Sequence, residues 1–193
     1  MTTGLSLKAN VEAMHPCDAT SPNSDEVEPP SAVQIAVANE QTTLAVDETK
    51  VRAAIASVLQ DSAYRSAHIS VALVDDLTIH ELNRQYLQHD YPTDVLSFML
   101  DENETHLEGE LVVSTDTAVR NAVEYGWSAE NEMLLYLVHG ALHLVGYLDK
   151  SPEECAAMHA AEVTHLTRLG VALPVDRTRW QGSAELAGEE FLP

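Results

Sequence analysis

The chain has 193 residues, of which 45% are hydrophobic and 21% are charged, so one folded domain with a buried core is expected. Its 31 acidic and 10 basic residues give a net charge of −21. Such a surface argues against a broad basic patch for nucleic acid, although a cation within a cleft can dominate the local field. No run of 18 apolar residues is present, so we expect no membrane-spanning helix.

The two ends of the chain differ in composition from the part between them. Residues 1–30 are rich in Ser, Pro, Thr, Asp and Glu without periodicity, which predicts a disordered tail. They contain no apolar stretch of the secretory kind, and Cys17 and Cys155 provide no disulfide framework. We therefore expect a cytoplasmic protein with its folded domain at residues 31–172. Residues 173–193 are expected to form a loosely ordered C-terminal tail.

The first half of the domain alternates strand and helix patterns. Apolar residues at every second position predict strands from Val33 and over residues 68–74. Asp47 is placed to cap a helix that runs to about residue 61, with apolar residues on one side. A second helix is predicted from Asp75 to about Tyr86.

The next segment continues the sheet. Residues 95–100 and 110–113 have strand patterns, and the acidic residues 101–109 between them predict a loop. Thr115 or Asp116 is expected to cap the following helix, which ends near Gly126 because glycine readily takes the backbone conformation that ends a helix.

Two more helices complete the domain. Ser128 begins a helix that is apolar on nearly every side, which predicts a central, buried position. Ser151, Pro152 and Glu154 form a strong start for the last helix, which runs to about Gly170. The pattern predicts an α/β (α+β) fold, in which a mixed four-stranded sheet is packed with about five helices.

The central helix carries the most informative motif of the chain. His139 and His143 are four residues apart, about one helical turn, so both imidazoles can bind one metal ion. Gly146 can turn the chain back, and Asp149 can then return as a third ligand. Three protein ligands with an open position are typical of a catalytic zinc site. The alternative for Asp149 is that it caps the helix that begins near Ser151.

Gly140 lies where the zinc peptidase motif H-E-x-x-H has its glutamate. That glutamate is the general base of the peptidase reaction, and glycine has no side chain that can replace it. The motif therefore disfavours a peptidase.

Several blocks of sequence together resemble the YbeY family of bacterial metal-dependent endoribonucleases. The resemblance covers roughly residues 65–170. It is strongest at residues 81–86 (ELNRQY), 92–98 (PTDVLSF), 109–114 (GELVVS) and 139–147 (HGALHLVGY), with Glu154, Met158 and Glu162 in the last helix. This combination of blocks is more specific than the two histidines alone.

The chain departs from the family pattern at two positions. The family has histidine where this chain has Asp149, which keeps a zinc ligand but lowers the charge of the site by one and favours harder ions. The family usually has arginine at the position of Leu87, where it is thought to contact phosphate. Arg84, one turn earlier in the helix, is a possible substitute.

The resemblance implies a specific function. We expect a zinc ion, one per chain, bound by His139, His143 and Asp149, and hydrolysis of single-stranded RNA. Ser97 and Arg84 are the expected positioning residues. The implied pathway is 3′-end maturation of 16S ribosomal RNA and ribosome quality control. The partners would be ribosomal RNA and proteins of the small ribosomal subunit, with no membrane and no nucleotide cofactor.

Two alternatives remain open from the sequence. In the first, the domain binds the ribosome with a structural metal and weakened catalysis, because Leu87 replaces the family arginine. In the second, it is a small metal-dependent hydrolase of substrates other than RNA, such as peptides. That alternative requires a carboxylate near the metal other than one at position 140.

Overall fold

The computed structural model describes residues 33–173, which form four strands and five helices. The strands are β1 (Val33–Asn39), β2 (Ser66–Val74), β3 (Val95–Glu102) and β4 (His106–Ser114). The helices are α1 (Glu48–Gln60), α2 (Asp76–Leu87), α3 (Thr115–Tyr125), α4 (Ala129–Leu144) and α5 (Pro152–Arg168). Among these residues no helix is long and apolar enough to cross a membrane.

The four strands form one mixed sheet in the order β1-β2-β4-β3. β1, β2 and β4 are parallel, and β3 is antiparallel to β4 at the edge of the sheet. The predicted α/β fold with a mixed four-stranded sheet and five helices is confirmed. The predicted N-terminal tail lies outside the described residues, as does the predicted C-terminal tail except for Leu173. The domain limits therefore stay predictions.

The strand β3 shows how helices cover both faces of the sheet. Successive side chains of a strand point to opposite faces. Val95 packs with the large core that includes α1, α4 and α5. Leu96 and Phe98 instead pack with Ile79 of α2 in a smaller apolar cluster. The helix α4 therefore lies on one face of β3, and α2 lies on the other.

The helix α4 is the central element of the domain. Eleven of its 16 residues are buried, because the sheet, α1, α3 and α5 all pack around it. Ser128 caps the helix through a hydrogen bond from the backbone N–H of Asn131, as its position in the sequence predicts. The predicted buried helix is therefore present at the centre of the fold.

The predicted loop over residues 101–109 is wrong. The strands β3 and β4 continue as a hairpin through this segment, with Asp101 opposite Glu108 and a register shift after Met99. The side chain of Asn103 accepts hydrogen bonds from the backbone N–H groups of Thr105 and His106, which closes a short turn. The acidic side chains can extend into solvent from this exposed edge hairpin, so their charge does not prevent strand formation.

The predicted cap of α3 is also wrong by one or two residues. Ser114, the last residue of β4, accepts the hydrogen bond from the backbone N–H of Thr117 at 3.0 Å. Thr115 is buried, and its hydroxyl instead donates to Gln41. The strand therefore passes directly into the helix, which leaves Ser114 as the residue with the extended backbone that a cap requires.

The buried His165 of α5 predicts a pH dependence of stability. Its Nδ1 lies 2.9 Å from Ser57 Oγ, and its side chain is buried. Burial lowers the pKa of its imidazole from the ordinary value of 6.5; the charge of Asp61 opposes this effect, and that of Arg168 adds to it. The unfolded chain therefore takes up a proton here as the pH falls through 6.5, whereas the folded chain resists it. The folded state loses stability in this range.

We expect His165→Gln to reduce this loss, because glutamine can keep a hydrogen bond to Ser57 without titrating. Urea unfolding with a metal chelator present, at about pH 7 and about pH 5.5, measures the loss in each protein. The wild-type chain should lose more unfolding free energy on acidification than the variant. Equal losses in the two proteins would contradict this account of His165.

Candidate metal centre

The helix α4 presents two histidines at one end of its exposed side. The side chains of His139 and His143 are 24% and 28% exposed, although most of the helix is buried. Their Nε2 atoms face each other at 3.0 Å, and their ring planes are nearly perpendicular. The four-residue spacing thus places two imidazole nitrogens at one point.

A tight turn after α4 brings the chain back to these histidines. Gly146 has φ of +95°, a conformation that side chains other than glycine rarely adopt. The N–H of Gly146 donates to the carbonyl of His143, and the N–H of Tyr147 donates to the carbonyl of Leu142, both at 3.0 Å. These two bonds are those of a Schellman motif. The turn brings the carbonyl of Tyr147 to within 3.0 Å of His143 Nδ1.

Asp149 follows the turn and directs its carboxylate at both histidines. Its Oδ2 lies 3.7 Å from Nε2 of His139 and 3.5 Å from Nε2 of His143. Ser151 caps α5 in a capping box with Glu154, so Asp149 is not the cap of that helix. The thiol of Cys155 donates to the backbone carbonyl of Asp149 and holds it at the start of α5.

The outer nitrogens of both rings are already occupied. His143 Nδ1 faces the carbonyl of Tyr147, which can only accept, so this nitrogen carries the proton. His139 Nδ1 lies 2.7 Å from Oε1 of Glu162, a buried carboxylate on α5 that acts in the same way. Neutral imidazole has one N–H, so both inward nitrogens present lone pairs. Carboxylate–histidine pairs of this kind orient metal ligands in proteins.

Three acceptors therefore converge with no hydrogen between them when both imidazoles are neutral. The distances among the two Nε2 atoms and Asp149 Oδ2 are 3.0, 3.5 and 3.7 Å. Ligands at zinc distances in a tetrahedron lie about 3.3 Å apart, so the three atoms fit one such ion. A cation removes the repulsion among these lone pairs. The structure thus contains a candidate His–His–Asp metal site, and metal ligation by these residues stays a prediction.

The surroundings also change the proton affinity of His139. Burial, the largest single effect, lowers the pKa of its imidazole. The hydrogen bond and charge of Glu162 and the charges of Asp94 and Asp149 raise this pKa, and together they outweigh burial. The pKa of His139 is raised above 6.5 as a result. The site therefore favours positive charge at this ring, which is the property that a cation site requires.

Sequence reasoning assigned no role to two of these acidic residues. Glu162 is 23 residues from His139 in the sequence, and only the packing of α5 on α4 brings them together. Asp94 precedes β3, and its charge raises the pKa of His139. Its Oδ1 accepts from Thr93 Oγ1 and from the N–H of Val95. Both residues lie in the blocks of family resemblance, which were the available signal.

Ser97 lies next to the histidines but faces the helix backbone. Its hydroxyl donates to the carbonyl of Gly140 at 3.2 Å. A Cβ at Gly140 would lie 2.9 Å from Val95 Cγ2 and 3.0 Å from Leu111 Cδ2 and Ser97 Oγ. Glycine is therefore needed for the close approach of α4 to the sheet. No carboxylate can take the place that the peptidase glutamate has in its motif.

Arg84 is not part of the cluster that holds the three candidate ligands. It is exposed on α2, the helix that packs on the opposite face of β3 from α4. Leu87, also on α2, is 51% exposed. Asn83 of the same helix donates to the carbonyl of Tyr91 at 2.8 Å, which holds the loop that leads to Asp94. The role of Arg84 thus stays a prediction.

A cavity of about 400 Å³ lies beside the turn after α4. Tyr147 and Leu142 line it together with the carboxylates of Asp61, Glu102 and Glu104. None of the three candidate metal ligands lines it. Its acidic lining is unsuited to phosphate, so we place the functional site at the histidines and not in this cavity.

Comparison with known proteins identifies the family. The model described as "Endoribonuclease YbeY" matches residues 36–170 of the chain. The chain belongs to the YbeY family of endoribonucleases. The candidate metal centre lies within the matched residues, as do the blocks of resemblance identified in the sequence.

Several YbeY endoribonucleases are similar to the chain at the level of sequence. The YbeY of Rhodopirellula baltica is 47% identical over 126 residues, which are 64% of this chain and 64% of that protein. The chain thus spans less than two thirds of the length of this relative. The YbeY of Chloroherpeton thalassium is 42% identical over 63% of this chain and 86% of its own. The YbeY of Pelotomaculum thermopropionicum is 40% identical over 71% of this chain and 97% of its own.

A solved structure is similar in fold. The solution structure of TM1509 from Thermotoga maritima covers 82% of this chain and 97% of its own, with a TM-score of 0.53 and 26% sequence identity. This similarity agrees with the single mixed sheet and the helices around it.

Glu162 provides a test of the candidate centre in this YbeY chain. We expect Glu162→Gln to weaken zinc binding about 10- to 100-fold, because the amide orients His139 less strongly and lowers its basicity. Competition with a chelating dye measures the affinity. Glu153→Gln, at an exposed position of the same helix, should bind as the wild type does. Equal affinity of all three proteins, with intact folding, would show that Glu162 does not support a metal ligand.

Proposed function

We propose that this chain is a metal-dependent endoribonuclease that cleaves single-stranded RNA in the cytoplasm. It would act in 3′-end maturation of 16S ribosomal RNA and in ribosome quality control. The proposal rests on one observation above all. In a chain of the YbeY family, two imidazole lone pairs and one carboxylate converge within 3.7 Å. We further propose one zinc ion per chain, held by His139, His143 and Asp149.

The ligand set suits a catalytic ion. Two neutral imidazoles and one carboxylate are ligands that zinc accepts, and three protein ligands leave a position open. When bound, the ion supplies Lewis acidity, which activates water and offsets negative charge at the scissile phosphate. Asp149 is 42% exposed, so the site is open to a large substrate.

The protein's own groups hold the site in one arrangement. Glu162 fixes the ring of His139 through Nδ1, and the carbonyl of Tyr147 fixes that of His143. Both imidazoles are thus oriented before substrate arrives, which avoids reorganisation during the reaction.

Asp94 is the residue that we propose as proton acceptor. Its Oδ1 already accepts two hydrogen bonds, whereas Oδ2 has no partner among residues 33–173. It directly precedes Val95, whose side chain lies against Gly140 between the two histidines, so Asp94 lies beside the candidate centre. Its charge also raises the pKa of His139. In this proposal Oδ2 takes a proton from the attacking oxygen, either of water or of the ribose 2′-hydroxyl.

Ser97 and Arg84 have different roles in the proposed mechanism. Ser97 is a positioning residue, because its hydroxyl ties β3 to α4 at Gly140, between the two histidines. Arg84 has no ion-pair partner among the described residues, so its guanidinium is available to a phosphate of bound RNA. It would act at a distance from the ion, on the side of β3 where α2 lies.

The charge of the domain supports ribosomal proteins as partners. Residues 33–173 contain 22 acidic and 7 basic residues, a net charge of −15. Ribosomal proteins are generally basic, and charge complementarity steers association. We propose that contacts with proteins of the small subunit bring the enzyme to its ribosomal RNA.

An RNA cleavage assay tests the proposed activity. The zinc-loaded chain should cleave a single-stranded RNA and leave the same sequence intact in a duplex. We expect Asp94→Asn to reduce the rate about 10²- to 10⁴-fold without loss of metal, because the amide cannot accept the proton. Asp101→Asn, at an exposed position of β3, is the matched control and should keep the wild-type rate.

The same assay separates the proposal from the ribosome-binding alternative. Full metal content and normal stability without cleavage of any RNA would contradict the proposed activity and favour a binding module. Immature small subunits, offered as substrate, then test the proposed pathway: correct trimming of the 16S 3′ end supports it. Cleavage of free RNA but not of these particles would restrict the proposal to the chemical activity.

A further inference from the structure

The last turn of α2 and the loop that leads to β3 carry an exposed aromatic surface, which we define as Tyr86, His89 and Tyr91. Tyr86 and Tyr91 are 57% and 55% exposed, and His89 is also exposed. The rings of His89 and Tyr91 are stacked, with centroids 5.4 Å apart and planes at 9°. Tyr86 packs edge-on against Phe98 of β3. These rings are therefore held in place, although they are exposed to solvent.

Hydrogen bonds to Asn83 of α2 fix the backbone of this loop. The buried side chain of Asn83 donates to the carbonyl of Tyr91 at 2.8 Å, and the N–H of His89 donates to the carbonyl of Asn83. His80 pairs with Asp90 at 2.9 Å. An ordered platform of this kind can bind a flat ligand without first losing conformational freedom.

The aromatic surface lies on an approach to the candidate metal centre. It begins on α2, which covers the face of β3 that bears Phe98. Four residues after Tyr91 the chain reaches Val95 of β3, whose side chain lies against Gly140 of α4, between the two histidines. The loop therefore passes from one side of the edge strand to the other. A strand of RNA at the metal centre can follow the same course.

The described part of the chain has few cations that are available to bind RNA phosphates. Residues 33–173 contain seven lysines and arginines. Four of them pair with carboxylates, namely Lys50, Arg52, Arg120 and Arg168. Arg65 is engaged in a further contact. Within the described part of the chain this leaves Arg84 and Lys150 as cations with no acidic partner.

These observations together point to one mode of RNA recognition. We infer that the chain holds single-stranded RNA chiefly by stacking of bases on the aromatic surface, and not by neutralisation of phosphates. The inference rests on the proposed endoribonuclease function and specifies how its substrate is bound. Stacking needs no particular base, because every base has a flat face. It also needs unpaired bases, so it selects single strands.

The salt dependence of binding distinguishes the two modes. Each neutralised phosphate of single-stranded RNA contributes a slope of about −0.7 to log K against log salt. Two cations and one net positive charge at a zinc-loaded centre give a slope no steeper than about −2. The probe is a fluorescent 2′-O-methyl oligonucleotide, and the measurement is anisotropy with the zinc-loaded chain between about 50 and about 200 mM salt.

Substitutions at Tyr91 test the stacking directly. We expect Tyr91→Leu to weaken binding about tenfold and Tyr91→Phe to keep it within about twofold, because phenylalanine retains the ring. The backbone carbonyl that Asn83 binds is unchanged in both variants. Leu77→Ala, at a 75% exposed position at the other end of α2, is the control for general loss of surface.

Each outcome decides the inference. The inference is supported if the slope of log K against log salt is no steeper than about −2 and only Tyr91→Leu, among the three variants, loses RNA affinity. A slope clearly steeper than about −2, or equal binding by Tyr91→Leu and the wild type, overturns it. Cleavage of RNA in that case leaves the proposed function standing. Neither binding nor cleavage of any single strand would overturn both.

Discussion

The close packing of α4 on the sheet at Gly140 determines where the functional groups of this protein lie. The backbone of the helix approaches β3 so closely that a single added methyl group would lie within 3.0 Å of three side-chain atoms. His139 and His143 lie on either side of this contact along the helix, and their side chains are partly exposed. Just after the end of α4 the chain turns sharply at Gly146. This turn brings the carbonyl of Tyr147 to His143 and returns the chain with Asp149.

The hydrogen bonds around the histidines explain why we expect a cation at this site. The outer nitrogens face a backbone carbonyl and a buried carboxylate, so the inner nitrogens present lone pairs to each other at 3.0 Å. Without a cation, the two nitrogens and Asp149 repel one another unless a proton is taken up. The raised pKa of His139 reflects the same excess of negative potential, which here exceeds the cost of burial. The packing contacts at the end of α4 thus also set the orientation of the two candidate metal ligands.

Much of this arrangement could be predicted from the sequence, because it depends on local patterns. The spacing of the histidines, the apolar circumference of α4 and the capping residues of α5 are all encoded within a few turns of helix. The hairpin over residues 101–109 was mispredicted because charged residues resemble a loop, whereas an exposed edge strand tolerates them. The pairing of His139 with Glu162 depends on how α5 crosses α4, and no local pattern contains that angle. The same is true of Asp94, whose effect on the pKa of His139 depends on the packing of α4 on β3.

The most direct test of this account is the metal content of the protein, purified without added metal and measured by mass spectrometry. The account predicts about one zinc ion per wild-type chain and loss of that ion in both His143→Ala and Asp149→Ala, because three ligands are needed. Glu153→Gln, on an exposed part of α5, should retain it. Retention of the ion in Asp149→Ala would remove this residue from the ligand set. A wild-type chain that binds no metal, even when zinc is supplied, would contradict the central claim.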